Sequence, residues 1–426
     1  MRHLSVTIGL PSALLIVSLA IACVEDAPAG PSDYGDGLLP RSGIALLGSD
    51  YGSSSLSLLD PRSGQLVASG VLHSGSAAPG LSVALSGDVV FPSARHPEGL
   101  IVLIDRFPGS VLTLFDPIEG RVRRQINVST GFAANAQDLC YVADRVYVAR
   151  HESNPLPGAE PFDQGDDLLI VDLAEGSILG RVDLAGLADE GLQARPTRIR
   201  AHAGRLWVAL DHLSDDFSRA GPGLVAVIDP ERDVVEATLR NDQVSNCTQL
   251  AIVDASRLVV ACTGLFQAGA TAQLASSGLL LIDAASLDPG SPGSTVRRIL
   301  GAGEDGGSAP FGFEMAVAGG QWLLVSRFGD LASGRPDEVQ AYELRALLDD
   351  DPATSAVPHR IHVASSAYGL GGLLVDEVAG RLYVADADPV RPRIVAYRYD
   401  EDGFTPEPAF GAALSGALSP RALSLY

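Results

Sequence analysis

Short apolar runs, each closed by a turn rich in Gly, Pro, Asp or Ser, follow one another along most of this chain, the pattern of strands and tight turns. One run recurs six times: VVFPSAR (89–95), RVYVAR (145–150), RLWVAL (205–210), RLVVAC (257–262), WLLVSR (322–327) and RLYVAD (381–386). The copies start roughly 50 to 65 residues apart, the interval of one four-stranded unit repeated in space. An apolar strand precedes the phrase, as in TRIRAH (197–202) or TQLAIV (248–253). After a polar loop comes a third strand ending in an acid: SLSLLDP to Pro61, VLTLFDP to Pro117, LLIVDL to Leu173, LVAVIDP to Pro230 and LLLIDA to Ala284. The turns that follow, such as Asp60-Pro61-Arg62-Ser63-Gly64, carry the Pro and Gly that preset turn dihedrals, and a fourth strand closes the unit.

Third strands number seven once VQAYEL (339–344) and IVAYRY (394–399) are included. Second strands are the six copies plus GIALLGSD (43–50), which has no first strand before it, while SPRALSLY (419–426) is a first strand with nothing after it. The expected fold is therefore all-β, a seven-bladed β-propeller of four-stranded antiparallel blades over residues 43–426. Its N-terminal strands are expected to pair with a C-terminal inner strand, which removes the open sheet edges. One segment disturbs the register: GLIVLIDRF (99–107) is either an inserted hairpin or a competing third strand of the second blade.

Arg381-Leu382-Tyr383-Val384-Ala385 and Arg145-Val146-Tyr147-Val148-Ala149 resemble the repeated strand of the YVTN-type and wider WD40-like seven-bladed propellers, in which a third strand containing Ile-Asp follows. That resemblance covers roughly residues 43 to 426, judged by repeat spacing. It implies the fold and leaves function open, because propellers host enzymes, ligand binders and scaffolds alike.

The N-terminus has another character. Met1-Arg2-His3 is a short basic start, Leu4 to Leu19 is almost wholly apolar, and Ala20-Ile21-Ala22 presents small residues just before Cys23. Residues 1–22 read as an export signal, and Cys23 after the cleavage point resembles a bacterial lipobox, with Ala20 where Leu is usual. The lipid-anchored reading competes with a plainly secreted protein and with an uncleaved span, for which the apolar run is short. Residues 23–42 then supply the acylated Cys and a tether without periodicity, rich in Pro, Gly and Asp, which would hold the ring about 25 Å from its anchor. A bacterial lipoprotein of the cell envelope follows as the expectation, at the outer membrane if acylated and released if not.

Composition narrows the partners. Net charge is −22, and loss of Arg2 with the signal makes the mature chain more acidic, so nucleic acid and anionic membrane surfaces are poor partners and membrane contact is expected through the anchor alone. All basic residues are Arg, which excludes a Schiff-base or P-loop lysine. A monomer with no cofactor is expected, and no metal either, because no Cys-x-x-Cys or His-x-x-x-His metal-ligand spacing occurs. Cys247 and Cys262 face each other across a hairpin that turns at 254–257 and are expected to form a disulfide in an oxidising compartment, while Cys140 in an inner strand reads as a buried small apolar residue. Gly301-Ala302-Gly303-Glu304-Asp305-Gly306 has the letters of a dinucleotide fingerprint but leads into a strand, so a turn is expected; Asp400-Glu401-Asp402-Gly403 lacks calcium-loop alternation.

One constellation carries chemistry. Loops after every second strand emerge on one rim of the channel, and reading that position around the ring gives Asp50, Arg95 with His96, Arg150 with His151, Asp211 with His212, Thr263, Arg327, and Asp386 with Asp388. The expected site is a mouth built from Arg95, His96, Arg150, His151, Asp211, His212, Arg327 and Asp386; the alternative is a set of independent solvated loop residues. Two functions fit. The first is a binding or scaffold module for an envelope protein or small anionic ligand, using this mouth and the loop HESNPLPGAEPFDQGDD (151–167). The second is a lactonase-like hydrolase using Arg, His and an acid for general acid–base ring opening. With no catalytic motif in the chain, binding is the preferred expectation.

Overall fold

The computed structural model describes residues 42–287, 295–349, 356–388, 390–408, 410, 414 and 418–426. Cys23, the export signal and the tether lie outside the described residues. The described residues belong to one compact unit.

Seven four-stranded antiparallel sheets make up this unit, each running from an inner to an outer strand. In the fourth blade the order is Pro196–His202, Arg205–Leu210, Gly223–Asp229 and Val234–Asn241. Burial varies across a blade for a simple reason. Second and third strands are covered on both faces by neighbouring blades, so they read as unbroken apolar runs, as at Ile44–Ser49 and Val111–Asp116, where every residue is buried. Outer strands such as Arg121–Asn127 keep only scattered buried positions. Among the described residues the apolar side chains gather into seven clusters, one in each seam between adjoining blades; Trp207, Val225 and Leu239 of the fourth blade meet Cys247, Leu258 and Ile282 of the fifth. The architecture is a seven-bladed β-propeller.

The ring closes as the orphan end strands required. Pro420–Leu425 is the inner strand of the first blade and pairs antiparallel with Ile44–Ser49, Ile44 opposite Leu425 and Leu47 opposite Ala422. Next to it, in the inner strand of the seventh blade (Leu370–Asp376), Gly371 permits a close approach: a Cβ there would meet the Pro420 carbonyl oxygen at 2.3 Å.

The second blade departs from the sequence reading. VVFPSAR is not a second strand; Val89–Val90 is the inner strand, and Ile101–Asp105, inside the segment read as an insertion or third strand, is the second. The two segments are similar in apolar character, and Pro92 within the first limits its pairing to two residues. The phase of this blade is therefore shifted by one strand, which moves Arg95 and His96 from the loop after a second strand to the loop after the first.

Cys247 and Cys262 sit opposite each other in the fifth blade, joined by a disulfide at a sequence separation of 15. Cys140 is buried in its inner strand. The Gly301–Gly306 segment is a turn after a strand, tied by the Glu304 N–H to the Gly301 carbonyl at 3.0 Å.

Candidate functional site

The inner strands line a central channel that opens into two cavities, of about 450 and 740 Å³. Every inner strand runs from the smaller to the larger. At the waist the two cavities share Val90, Gln137, Arg198, Gln249, Glu314 and Arg421 with Ala422, from six inner strands, and Arg106 from beyond a second strand, with Gly371 and Gly372 filling the seventh place from either side. Because side chains alternate along a strand, each inner strand presents only one or two residues to this level.

The waist is rich in guanidinium groups. Arg198 lies 3.9 Å from the Asp138 carboxylate, outside hydrogen-bonding distance, and its buried Nε has no partner. Arg421 stacks over the Tyr51 ring, 4.6 Å from its centroid, and makes no ion pair among the described residues; its Nε reaches only the Ser49 carbonyl at 3.5 Å. Arg106, at the end of the second strand of the second blade, is tied to Asp88 and donates to the Gln137 amide oxygen at 2.9 Å. One turn of the channel wall away, Arg200 hydrogen-bonds Ser93 and stands 3.5 Å from Asp138; burial lowers its pKa to about 10. Asp138, fully buried, also accepts from the backbone N–H groups of Ser93 (2.7 Å) and Ile199 (3.0 Å), joining two inner strands to the loop after Val89–Val90.

Among the described residues that border both cavities, Glu314 is the one carboxyl. Glu314 accepts one long hydrogen bond, 3.4 Å from the Leu373 N–H. Burial raises its pKa from the ordinary 4.5 to about 7, against the pull of Arg198.

At the smaller cavity stand three residues of the expected mouth. His151 is held between two acids, Nε2 at 3.0 Å from Asp211 and Nδ1 at 3.0 Å from Glu152. Burial disfavours the charged ring, but these hydrogen bonds outweigh it and raise the His151 pKa, while burial raises that of Asp211. With both nitrogens engaged, His151 has none to offer a substrate. Arg195, fully buried, completes the cluster by donating to Glu152 at 2.8 Å and stacking on Phe217 at 4.2 Å. Arg327 borders the same cavity, but its guanidinium is spent on the Ala302 and Ala309 carbonyls (3.0 and 2.8 Å), Gln340, Asp305 and Tyr342.

The other expected residues lie elsewhere. Arg95 lines the larger cavity at the opposite end, and His96 lines a small side pocket there, its Nδ1 accepting from the Glu98 N–H at 3.1 Å. Arg150 is wholly buried, paired with Asp167 at 2.6 Å and bonded to Thr130 and the Phe162 carbonyl, and lines neither cavity. His212 lies between the Pro222 carbonyl and the Asp189 N–H, both at 3.0 Å. Asp386 pairs with Arg393 at 2.9 Å and lies 3.5 Å from His362. Asp50 caps a turn through the Ser53 N–H at 2.7 Å, and Thr263 bonds Asn246 at 2.9 Å. The expected single mouth is thus corrected: His151, Asp211 and Arg327 share one cavity, Arg95 faces the other, and the rest hold loops in place.

Sequence reasoning missed Arg198, Arg421, Gln137, Gln249 and Glu314. Their signal was present: each is a polar residue at the corresponding position of an inner strand, as in PTRIRAH, SPRALSLY and FGFEMAVA. Among the described residues no group of His, Cys, Asp and Glu is arranged to hold a metal ion.

No protein-family model matches the chain, and no curated protein sequence matches it. Solved structures of similar fold include a protein from Lactobacillus plantarum (TM-score 0.56, 11% identity, 90% of this chain and 99% of that one). The periplasmic gluconolactonase of Pseudomonas aeruginosa aligns comparably (0.56, 13%, 90% and 98%), as does the Swd1 β-propeller domain of Myceliophteria thermophila (0.52, 12%, 84% and 98%). At these identities the likeness is one of fold.

Proposed function

We propose that this protein is an exported, membrane-anchored propeller that binds a small anionic ligand in its channel. The observation that carries this reading is the pair Arg198 and Arg421: in a chain of net charge −22, two guanidinium groups border the waist without a hydrogen bond to any carboxylate among the described residues, the nearest to Arg198 being Asp138 at 3.9 Å, whereas Arg150 and Arg327 are saturated. A bound carboxylate or phosphate would complete their hydrogen bonding with the fork geometry that arginine offers. Calorimetric titration with citrate and with inorganic phosphate tests this. Arg198→Gln with Arg421→Gln should weaken binding at least tenfold, and Arg205→Ala with Arg257→Ala, which pair with Glu236 and Asp254 outside the channel, should not. Equal loss in both pairs would overturn the site.

Export and anchoring rest on Cys23 following Ala20-Ile21-Ala22, and the Cys247–Cys262 disulfide supports an oxidising compartment. Cys23→Ser should move the protein from the membrane fraction to the soluble envelope or medium; retention with unchanged mass would refute the lipid anchor.

A second reading is hydrolysis of a cyclic ester, in keeping with the activity named for the Pseudomonas protein. Glu314 is what favours it, since a carboxyl with a pKa of about 7 beside an arginine suits a general base. Water would attack the acyl carbon as Glu314 takes its proton, the ring C–O bond would break, and that proton would pass to the departing oxygen. His151 has no free nitrogen for this role. A lactone panel decides: turnover lost in Glu314→Gln supports hydrolysis, and no turnover in the parent removes it.

A further inference from the structure

The two ends of the channel differ in chemistry, and the smaller cavity carries features that a simple anion would not use. Phe313, Phe328 and Tyr368 border it, and Phe266 extends the same cluster. Phe313 and Phe328 meet edge to face with centroids 4.9 Å apart, and Phe266 meets Phe328 at 5.1 Å. Three of these rings are left open to solvent, Phe313 at 47%, Tyr368 at 52% and Phe266 at 38%. On an acidic surface, a contiguous set of exposed aromatic rings beside a cavity marks an interaction site rather than stray hydrophobic exposure.

Polar atoms of the same cavity are also unmatched. Asp211 and Thr248, 8% and 7% exposed, both line it, and Asp211 Oδ1 and Thr248 Oγ1 have no hydrogen-bond partner; neither has Arg198 Nε. Buried polar groups are normally paired, so a carboxylate oxygen, a hydroxyl and a guanidinium N–H that are covered yet unpartnered in the wall of one cavity point to complementary groups on what fills it. The guanidinium calls for an anion and Asp211 Oδ1 for a hydroxyl donor, while the rings call for a planar apolar body that stacks or packs edge to face.

We propose that the smaller cavity selects an aromatic hydroxy-acid: an aryl carboxylate whose carboxylate meets Arg198 and Arg421, whose ring packs on Phe313 and Tyr368, and whose hydroxyl donates to Asp211. This inference rests on the anion-binding reading above and adds the ligand class. A volume of about 450 Å³ accommodates one substituted benzene ring with its side chain.

The test uses the whole propeller and two probes, 4-hydroxyphenylacetate and acetate, titrated calorimetrically into the parent, into Phe313→Ala with Tyr368→Ala, and into Arg198→Gln with Arg421→Gln. Expected are binding of the aryl acid at least tenfold tighter than acetate, loss of that advantage in the aromatic pair with acetate binding unchanged, and loss of both probes in the arginine pair. If the aryl acid binds no tighter than acetate, or keeps its advantage in the aromatic pair, the aromatic selectivity is overturned while the anion site stands. If neither probe binds the parent, both readings fall. Phe313→Leu, which keeps an apolar side chain without a ring, gives a second measurement should the paired variant fold poorly, and in it too the advantage of the aryl acid should shrink.

Discussion

The Tyr383 hydroxyl donates a hydrogen bond of 2.8 Å to the carbonyl of Pro61, across the seam where the seventh blade meets the first. Arg381 reaches the same carbonyl at 2.9 Å. Four blades earlier, at the seam between the third and fourth blades, the motif repeats: Tyr147 and Arg145 both reach the Pro230 carbonyl of the fourth blade, Tyr147 at 3.2 Å. The recurrent Arg-x-Tyr of a second strand and the Asp-Pro turn after a third strand are thus two halves of one blade-to-blade fastening. Trp322 makes a variant of it, its indole N–H donating at 3.0 Å to the Asp400 carbonyl of the seventh blade.

Tyr383→Phe should therefore lower stability by about 1 kcal/mol, the net worth of one hydrogen bond, because Arg381 still satisfies the Pro61 carbonyl. Combining it with Arg381→Leu should cost more than the sum of the two single changes, since the carbonyl then loses both donors. Denaturant midpoints of the four proteins in this cycle measure the excess.

Deleting residues 421–426 removes the inner strand of the first blade and uncovers backbone groups on Ile44–Ser49. Each buried group left unpaired costs about 1–3 kcal/mol, so a handful would consume most of a typical stability of about 5–15 kcal/mol. The expected result is loss of a cooperative calorimetric transition. A truncated protein melting with the parent would show that the chain does not depend on this closure.

Arg150→Met leaves Asp167 buried and deprived of its main partner. A destabilisation of about 3–5 kcal/mol is expected, with citrate affinity unchanged under conditions where the variant remains folded. Arg198→Gln should behave in the opposite way, weakening citrate with little change in the denaturant midpoint. Parallel titration and unfolding curves separate the two arginines.

Glu314 predicts a pH dependence with a definite sign. Its folded-state pKa of about 7 lies above the ordinary 4.5, so the folded protein holds this proton more tightly than the unfolded chain. Its contribution to stability is present below pH 4.5, declines as pH rises from 4.5 to 7, and is lost above 7. Glu314→Gln should flatten that decline. Anion affinity at the waist should rise as pH falls through 7, because protonation removes the negative charge facing Arg198, and the same variant should abolish this rise. Titrations at pH 6 and pH 8 read the difference.

Much of this molecule was legible along the chain. The repeated RLYVA phrase, the acid-ended third strands and the orphan strands at either end determined a closed seven-bladed ring, because strand order and burial of second and third strands are local consequences of residue pattern. Cys247 and Cys262 were found in the same way, as the two ends of one hairpin. The second blade escaped because VVFPSAR and GLIVLIDRF are alike in apolar character, and only packing against the neighbouring blades decides which of them becomes the second strand. That choice sent Arg95 to the far end of the channel. The fate of each polar side chain was likewise a tertiary matter: Arg150 and His151 are adjacent in sequence, yet alternation along one strand turns the first toward Asp167 inside its own blade and the second toward Asp211 across the seam. Arg198, Glu314 and Arg421 come from strands far apart in the chain, and their common level at the waist exists only because the ring brings the same position of each inner strand to a single axis.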